Sequence, residues 1–187
     1  MVRPKMFRPK APAALNFRAD YADFGDFCKV FEQKMKPLYL LAFLLTGSHK
    51  EAELCLERSI DRSYEEKSVF QPWIEPWIKR CVIKEAIKIV FSSSRKADQQ
   101  RNPWWVASGE TQMAKVVNAV TQLDDLERFA FVMSVLERYS PRECSLLLDC
   151  TKQNIMHSRI RAWCKLAESD PLSIRILATP SNGRQSA

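Results

Sequence analysis

Ser140-Pro141-Arg142-Glu143 leaves its stretch of chain almost one option, which is to begin an α-helix. A serine hydroxyl ahead of a helix accepts from an early backbone N–H, and a glutamate three residues on reaches back to the serine's own N–H. Pro141 sits at the first helical position, where its missing N–H costs nothing. Apolar residues then run to Leu148, Asp149-Cys150-Thr151 turns the chain, and a second helix starts at Lys152 with Thr151 as its N-cap. Cys144, Leu148, Cys150 and Ile155 supply apolar contacts between the two helices, and Ser145 is small enough for a close crossing. The pattern reads as a helix-turn-helix. It also fits a plain αα-hairpin in a helical bundle. Asp149 falls at the turn position that takes positive φ, a region Asp enters more readily than most side chains.

Helix-turn-helix units lay the start of their second helix in the major groove. Lys152, Gln153, Asn154, His157, Ser158 and Arg161 are then the side chains expected to face DNA. Their chemistry suits that task. Gln and Asn read adenine edges, while Arg and Lys take guanine or phosphate.

The rest of the chain predicts an all-α fold: two small helical domains joined by a linker, the second carrying the helix-turn-helix. Only four glycines occur, too few for a β-sandwich or a phosphate-cradling loop. Residues 1–20, with three prolines and five basic residues, read as a basic flexible arm, either a solvated tail or a phosphate contact. Residues 21–91 show helical periodicity in Phe24, Phe27, Cys28, Phe31 and Met35. Pro37 interrupts, 38–45 resumes as a buried segment, and Thr46-Gly47 stops it. Ser48 and Glu51 form a capping box for a second helix over about 48–67, and a third covers about 74–91. On that third helix Arg80, Lys84 and Lys88 make a cationic stripe opposite Ile78, Val82, Ile83 and Ala86. Such a stripe is a solvated face or a phosphate-facing one. Residues 92–115 read as a linker, with Trp104-Trp105 pinning it to one half or meeting a partner. Helices return over 116–168, where Asp124 and Glu127 can cap the one carrying Leu126, Phe129 and Met133. Residues 169–187 form a tail.

Composition limits the function classes. No apolar run is long enough to span a membrane, and no apolar core follows the basic N-terminus as a signal peptide requires. A cytoplasmic protein is expected. The net charge of +7 suits a partner rich in phosphates. The six cysteines form no C-x-x-C pair and only two histidines occur, so no metal site is expected. Reduced core cysteines fit this pattern, with redox sensing as the other reading. Without a clustered Ser/His/Asp or Cys/His set, neither catalysis nor a cofactor is expected.

Two helical halves, the second ending in this motif, resemble the extracytoplasmic-function group of bacterial sigma factors. Pro37-Leu38-Tyr39-Leu40-Leu41-Ala42, Leu45-Thr46-Gly47 and Glu51-Ala52-Glu53 are similar to the first two helices of the family's σ2 domain. Trp77-Ile78 opens the third, and 123–136, 140–148 and 161–166 resemble σ4. The resemblance covers about 24–91 and 116–167. It implies a subunit that joins RNA polymerase core, directs it to promoter DNA, catalyses nothing itself and answers to an anti-sigma protein. It places Glu53, Leu54, Glu57 and Asp61 on the polymerase-facing helix, and Arg80, Lys84 and Lys88 near the downstream promoter element. The chain departs from the family at Leu54, where an acidic residue is common, at Glu57 for a usual glutamine, and at Lys84 and Lys88 for Asn and Asp. Two alternatives stand beside this reading: a sigma-fold DNA-binding regulator without polymerase engagement, and a helical protein-interaction adaptor.

Overall fold

The computed structural model describes residues 21–66, 68–92 and 112–169. The N-terminal arm, most of the linker with Trp104-Trp105, and the tail from 170 lie outside them. The fold is all-α. Helices α1 (Phe24–Thr46), α2 (His49–Glu65) and α3 (Ile74–Ser92) form the first half, with a 3-10 turn (Gln71–Trp73) leading into α3. Helices α4 (Gln112–Thr121) and α5 (Asp125–Phe131), a π-helical segment (Val132–Leu136), α6 (Pro141–Leu147) and α7 (Lys152–Ser169) form the second. Among the described residues no helix is long and apolar enough to cross a membrane.

Local chemistry sets most of the boundaries. Asp23 caps α1 by accepting from the Asp26 N–H at 2.9 Å, and the Asp26 carboxylate accepts in turn from the Asp23 N–H at 3.3 Å. Gly47 ends α1 at φ 73°, donating its N–H to the Phe43 carbonyl at 2.7 Å. Ser48 then caps α2 by accepting from the Glu51 N–H, but the expected box is only half formed, because the Ser48 N–H donates to the Thr46 hydroxyl at 3.4 Å and not to Glu51. Pro37 does not interrupt as expected; α1 runs through it. A proline removes the bond to the carbonyl four residues back. Here that carbonyl belongs to Gln33, and Glu32, Gln33, Lys36 and Pro37 are all exposed, so the freed group lies on the solvent side of the helix. Asp124 precedes α5 but makes no capping bond with its side chain, contrary to the expected Asp124–Glu127 cap. Both carboxylates are taken by α7 instead.

The two halves share one hydrophobic cluster, which joins Phe27, Leu38 and Phe43 of α1, Ile78 and Ile83 of α3, and Phe129, Phe131 and Met133 beyond. Burying each such side chain contributes roughly 1.5–3 kcal/mol. Residues 41–46 are buried without a break, so the end of α1 is covered all round. Its neighbours are α2 and α3 on the one hand, α4, α5 and the π segment on the other. Phe91 of α3 meets Phe129 of α5 with ring centroids 5.3 Å apart. Lys79 of α3 pairs with Glu137 at 3.1 Å.

Arg128 is the polar centre of this junction. Buried at 6% exposure, it donates from Nε to the Leu45 carbonyl at 3.0 Å and from its second terminal nitrogen to the Thr46 carbonyl at 3.3 Å. It also reaches the Thr121 and Leu123 carbonyls, both at 3.4 Å, and the Asp125 carboxylate at 2.9 Å. Helix C-termini leave carbonyls without intrahelical partners. One guanidinium serves the ends of α1 and α4 together. A Cβ on Gly47 would stand 3.3 Å from Arg128, so glycine there admits both the left-handed turn and the arginine.

Candidate nucleic-acid interface

The caps and the turn that join α6 to α7 form as their residues dictate. Ser140 accepts from the Glu143 N–H at 3.2 Å, and the Glu143 carboxylate accepts from the Ser140 N–H at 2.8 Å. The Ser140 hydroxyl also donates to the Glu143 carboxylate at 2.7 Å, and this bond, with the one from the Ser140 N–H, holds the Glu143 carboxyl below its ordinary range. Asp149 takes φ 47° in the turn. Thr151 accepts from the Asn154 N–H at 3.1 Å and caps α7. Cys144 and Ile155 are buried between the helices, and Leu148 and Cys150 are half-buried beside them.

The six side chains expected to face DNA separate into two groups. Lys152, Gln153, Asn154 and His157 are exposed at the start of α7. Ser158 is not: it is fully buried and accepts a hydrogen bond from Arg161 at 3.1 Å. The physical reason is helical phase, since Ile155, Ser158, Ala162 and Leu166 recur at three and four residues along the core-facing side. Arg161 turns back toward α5 and donates to Glu127 at 2.9 Å. Lys165 joins it, bridging Asp124 and Glu127 at 2.7 Å each. These bonds hold the Asp124 carboxyl low and push the Lys165 ammonium up. The Glu127 side chain is buried at 3% exposure, so two cations answer one buried carboxylate. This clasp fixes α7 against α5 and takes two positive charges away from the outer face. Met156 and Ile160 lie on that face, exposed beside His157.

The cationic stripe of α3 divides similarly. Arg80 is exposed and Lys84 half-buried, and neither enters an ion pair among the described residues. Lys88 is exposed but bound to Glu85 at 2.8 Å. Glu85 is a buried carboxylate on the same helix, met from α2 by Arg62 at 3.4 Å. On α2, Glu53, Glu57 and Asp61 are exposed, while Leu54 is half-buried against the core. The structure therefore brings Lys152, Gln153, Asn154 and His157 together on one exposed end. It leaves the α3 stripe and the α2 acids on separate elements.

All six cysteines are free thiols. Burial pushes the Cys55 thiol up to about 12, and Cys81 and Cys144 to about 11. Among the described residues no cluster of three His, Cys, Asp or Glu side chains stands ready for a metal ion.

Sequence reasoning passed over Arg128 and Lys165, and took Glu127 for a local cap where it is the buried partner of α7. Their signal is faint: charged residues embedded among Leu126, Phe129 and Ala130, and at the phase of a buried helix face. No protein-family pattern matches this sequence, and no curated protein matches it either.

Proposed function

We propose that this protein is a sigma-type transcription initiation factor that joins RNA polymerase core in the cytoplasm and directs it to promoter DNA, without catalysing a reaction of its own. The observation that carries the reading is the α6–Asp149–α7 unit, with a capped second helix that displays Lys152, Gln153, Asn154 and His157 at its start. A helix presented this way enters a major groove with its first turns at the base edges. Gln153 and Asn154 supply base readout and Lys152 supplies phosphate contact. Further support comes from Arg80 and Lys84, cations on α3 without ion pairs among the described residues, which suit the downstream element. The exposed acids Glu53, Glu57 and Asp61 suit a polymerase-facing helix, and control by an anti-sigma protein belongs to the same reading.

The test is co-elution with core polymerase followed by transcription from a promoter library. Expected are a stable complex and promoter-specific transcripts. Gln153→Ala should cost about 1–3 kcal/mol of sequence discrimination, whereas Lys152→Ala should lower affinity across all sequences and reduce the salt slope by about one. Absence of any core binding would sink the proposal.

A second reading rests on Leu54, which is packed toward the core where a polymerase-facing charge is expected. It makes the protein a sigma-fold DNA-binding regulator that works without polymerase. Tight duplex binding by the protein alone, with a steep log–log salt dependence, decides for it.

A further inference from the structure

A second candidate site lies away from α7, where the start of α3 meets the stretch leading into α6. Phe70, Trp73, Trp77 and Tyr139 line a cleft of about 440 Å³, with Arg80 and Glu143 among its walls. A neighbouring cleft of about 430 Å³ shares Trp77 and Arg80 and adds Lys84. Each is of a size that takes a small ligand.

The rings are held ready. Phe70 stacks on Tyr21 at 4.7 Å, and Trp77 meets Phe27 edge-on at 5.3 Å. Trp73, by contrast, is 68% exposed, a large aromatic surface left in water beside a pocket of other rings. Arg80 stands at the boundary of the two clefts with no ion pair among the described residues, and Lys84 lies beyond it in the same condition. Glu143 spends one carboxylate oxygen on its capping bonds to Ser140. Its other oxygen accepts no hydrogen bond among the described residues.

We propose that the two clefts together bind a free purine nucleoside phosphate. The base stacks among Trp73, Trp77 and Tyr139, and the phosphates lie over Arg80 and Lys84. Aromatic faces take a nucleobase by stacking, guanidinium and ammonium groups take phosphate, and a carboxylate oxygen takes N–H donors on the base edge. Arg62 also lines the second cleft but is paired with Glu85, and Arg80 and Lys84 are too few to draw a phosphate alone past Glu65 and Glu66, so the rings must carry much of the recognition. A free nucleotide fits better than a strand, because the first half supplies Trp73 and Trp77 while the second supplies Tyr139 and Glu143 across from them. A ligand there touches both halves of the protein. The proposal does not depend on polymerase binding and survives its failure.

The experiment is equilibrium dialysis of the full chain against ATP and GTP, with tryptophan fluorescence read in parallel. Saturable one-site binding with a submillimolar Kd and quenched emission is expected. Trp73→Ala and Arg80→Ala, both at exposed positions, should each weaken binding at least tenfold while the helical circular dichroism is retained. Lys36→Ala, on the exposed side of α1, should leave binding unchanged. Tyr139→Ala tests the wall from the second half; where it unfolds the chain, the other two variants still decide. No saturable binding at millimolar nucleotide, undiminished binding by both variants, or binding of an oligonucleotide but of neither nucleotide would each overturn the proposal.

Discussion

Replacing Arg128 with methionine removes the guanidinium from the junction of the two halves while keeping much of its apolar stem. Five acceptors lose a donor: the carbonyls of Leu45, Thr46, Thr121 and Leu123, and the Asp125 carboxylate. A buried polar group without a partner costs about 1–3 kcal/mol. Not all five stay dry. Thr121 and Asp125 are half-buried and regain water, whereas the Leu45, Thr46 and Leu123 carbonyls belong to buried residues. Three groups at the lower end give about 3 kcal/mol, and breaking a buried charged network by removing one partner gives about 3–5 kcal/mol. The expected loss is therefore about 3–5 kcal/mol, a large part of the roughly 5–15 kcal/mol that holds a domain folded. Urea unfolding followed by circular dichroism measures it. Because the arginine joins the halves, the single transition should also broaden or split. Gly47→Ala extends the test. It costs about 1–2 kcal/mol for the left-handed turn, plus a steric part from the approach to Arg128 at 3.3 Å. In the Arg128→Met background the steric part should vanish, so the double variant is more stable than the sum of the singles. A loss below about 1 kcal/mol for Arg128→Met, with an unchanged transition, would refute the reasoning.

Three other outcomes follow from single features. Asp149→Gly should stabilise the chain by up to about 1 kcal/mol, since glycine holds φ 47° without the side-chain penalty; a lower urea midpoint counts against it. Alkylation at pH 8 followed by peptide mass spectrometry should label exposed Cys164 first and leave Cys55 unmodified in native protein, because burial holds that thiol near 12; equal labelling rates would contradict this. The α5–α7 clasp should have two pH edges. The Asp124 carboxyl is lowered, so its contribution is present above its ordinary value of 3.8 and is lost as pH falls through the lower folded value. The Lys165 ammonium is raised, so its contribution is full below 10.5 and is lost as pH rises beyond it. Lys165→Met should flatten both edges in stability measured against pH, and an unaltered profile would exclude the clasp as their source.

What was legible in the sequence is what is decided within about four residues. Ser140 with Glu143, Thr151 ahead of Lys152, Gly47 after Thr46, and Asp149 in its turn are stereochemical statements that need no neighbour, and each forms as read. Pro37 was misread because its cost depends on whether water reaches the freed carbonyl, which is a fact of exposure and not of type. Asp124 and Glu127 were read as a local cap, but charges on α7, some forty residues away in sequence, outcompete the backbone for them. Ser158 is the instructive error at the candidate site. Its place at the phase of Ile155 and Ala162 was visible, yet its polarity suggested a surface role. Arg161 could not be assigned at all without knowing that a buried carboxylate waits on α5.

The sealed end of α1 also bears on how the chain comes to fold during its own synthesis. When the ribosome has released the first half, residues 41–46 have only α2 and α3 to cover them, and the carbonyls of Leu45 and Thr46 still await an arginine some eighty residues downstream. Contacts so distant in sequence form late and slow the approach to the native state. Until α5 emerges, a nascent chain carries an uncovered apolar helix end, the kind of surface on which partly made proteins aggregate. A fragment cut after α3 inherits the same defect permanently. Dissecting this protein into two halves would study a species that the intact chain passes through only once, briefly, on its way out of the ribosome.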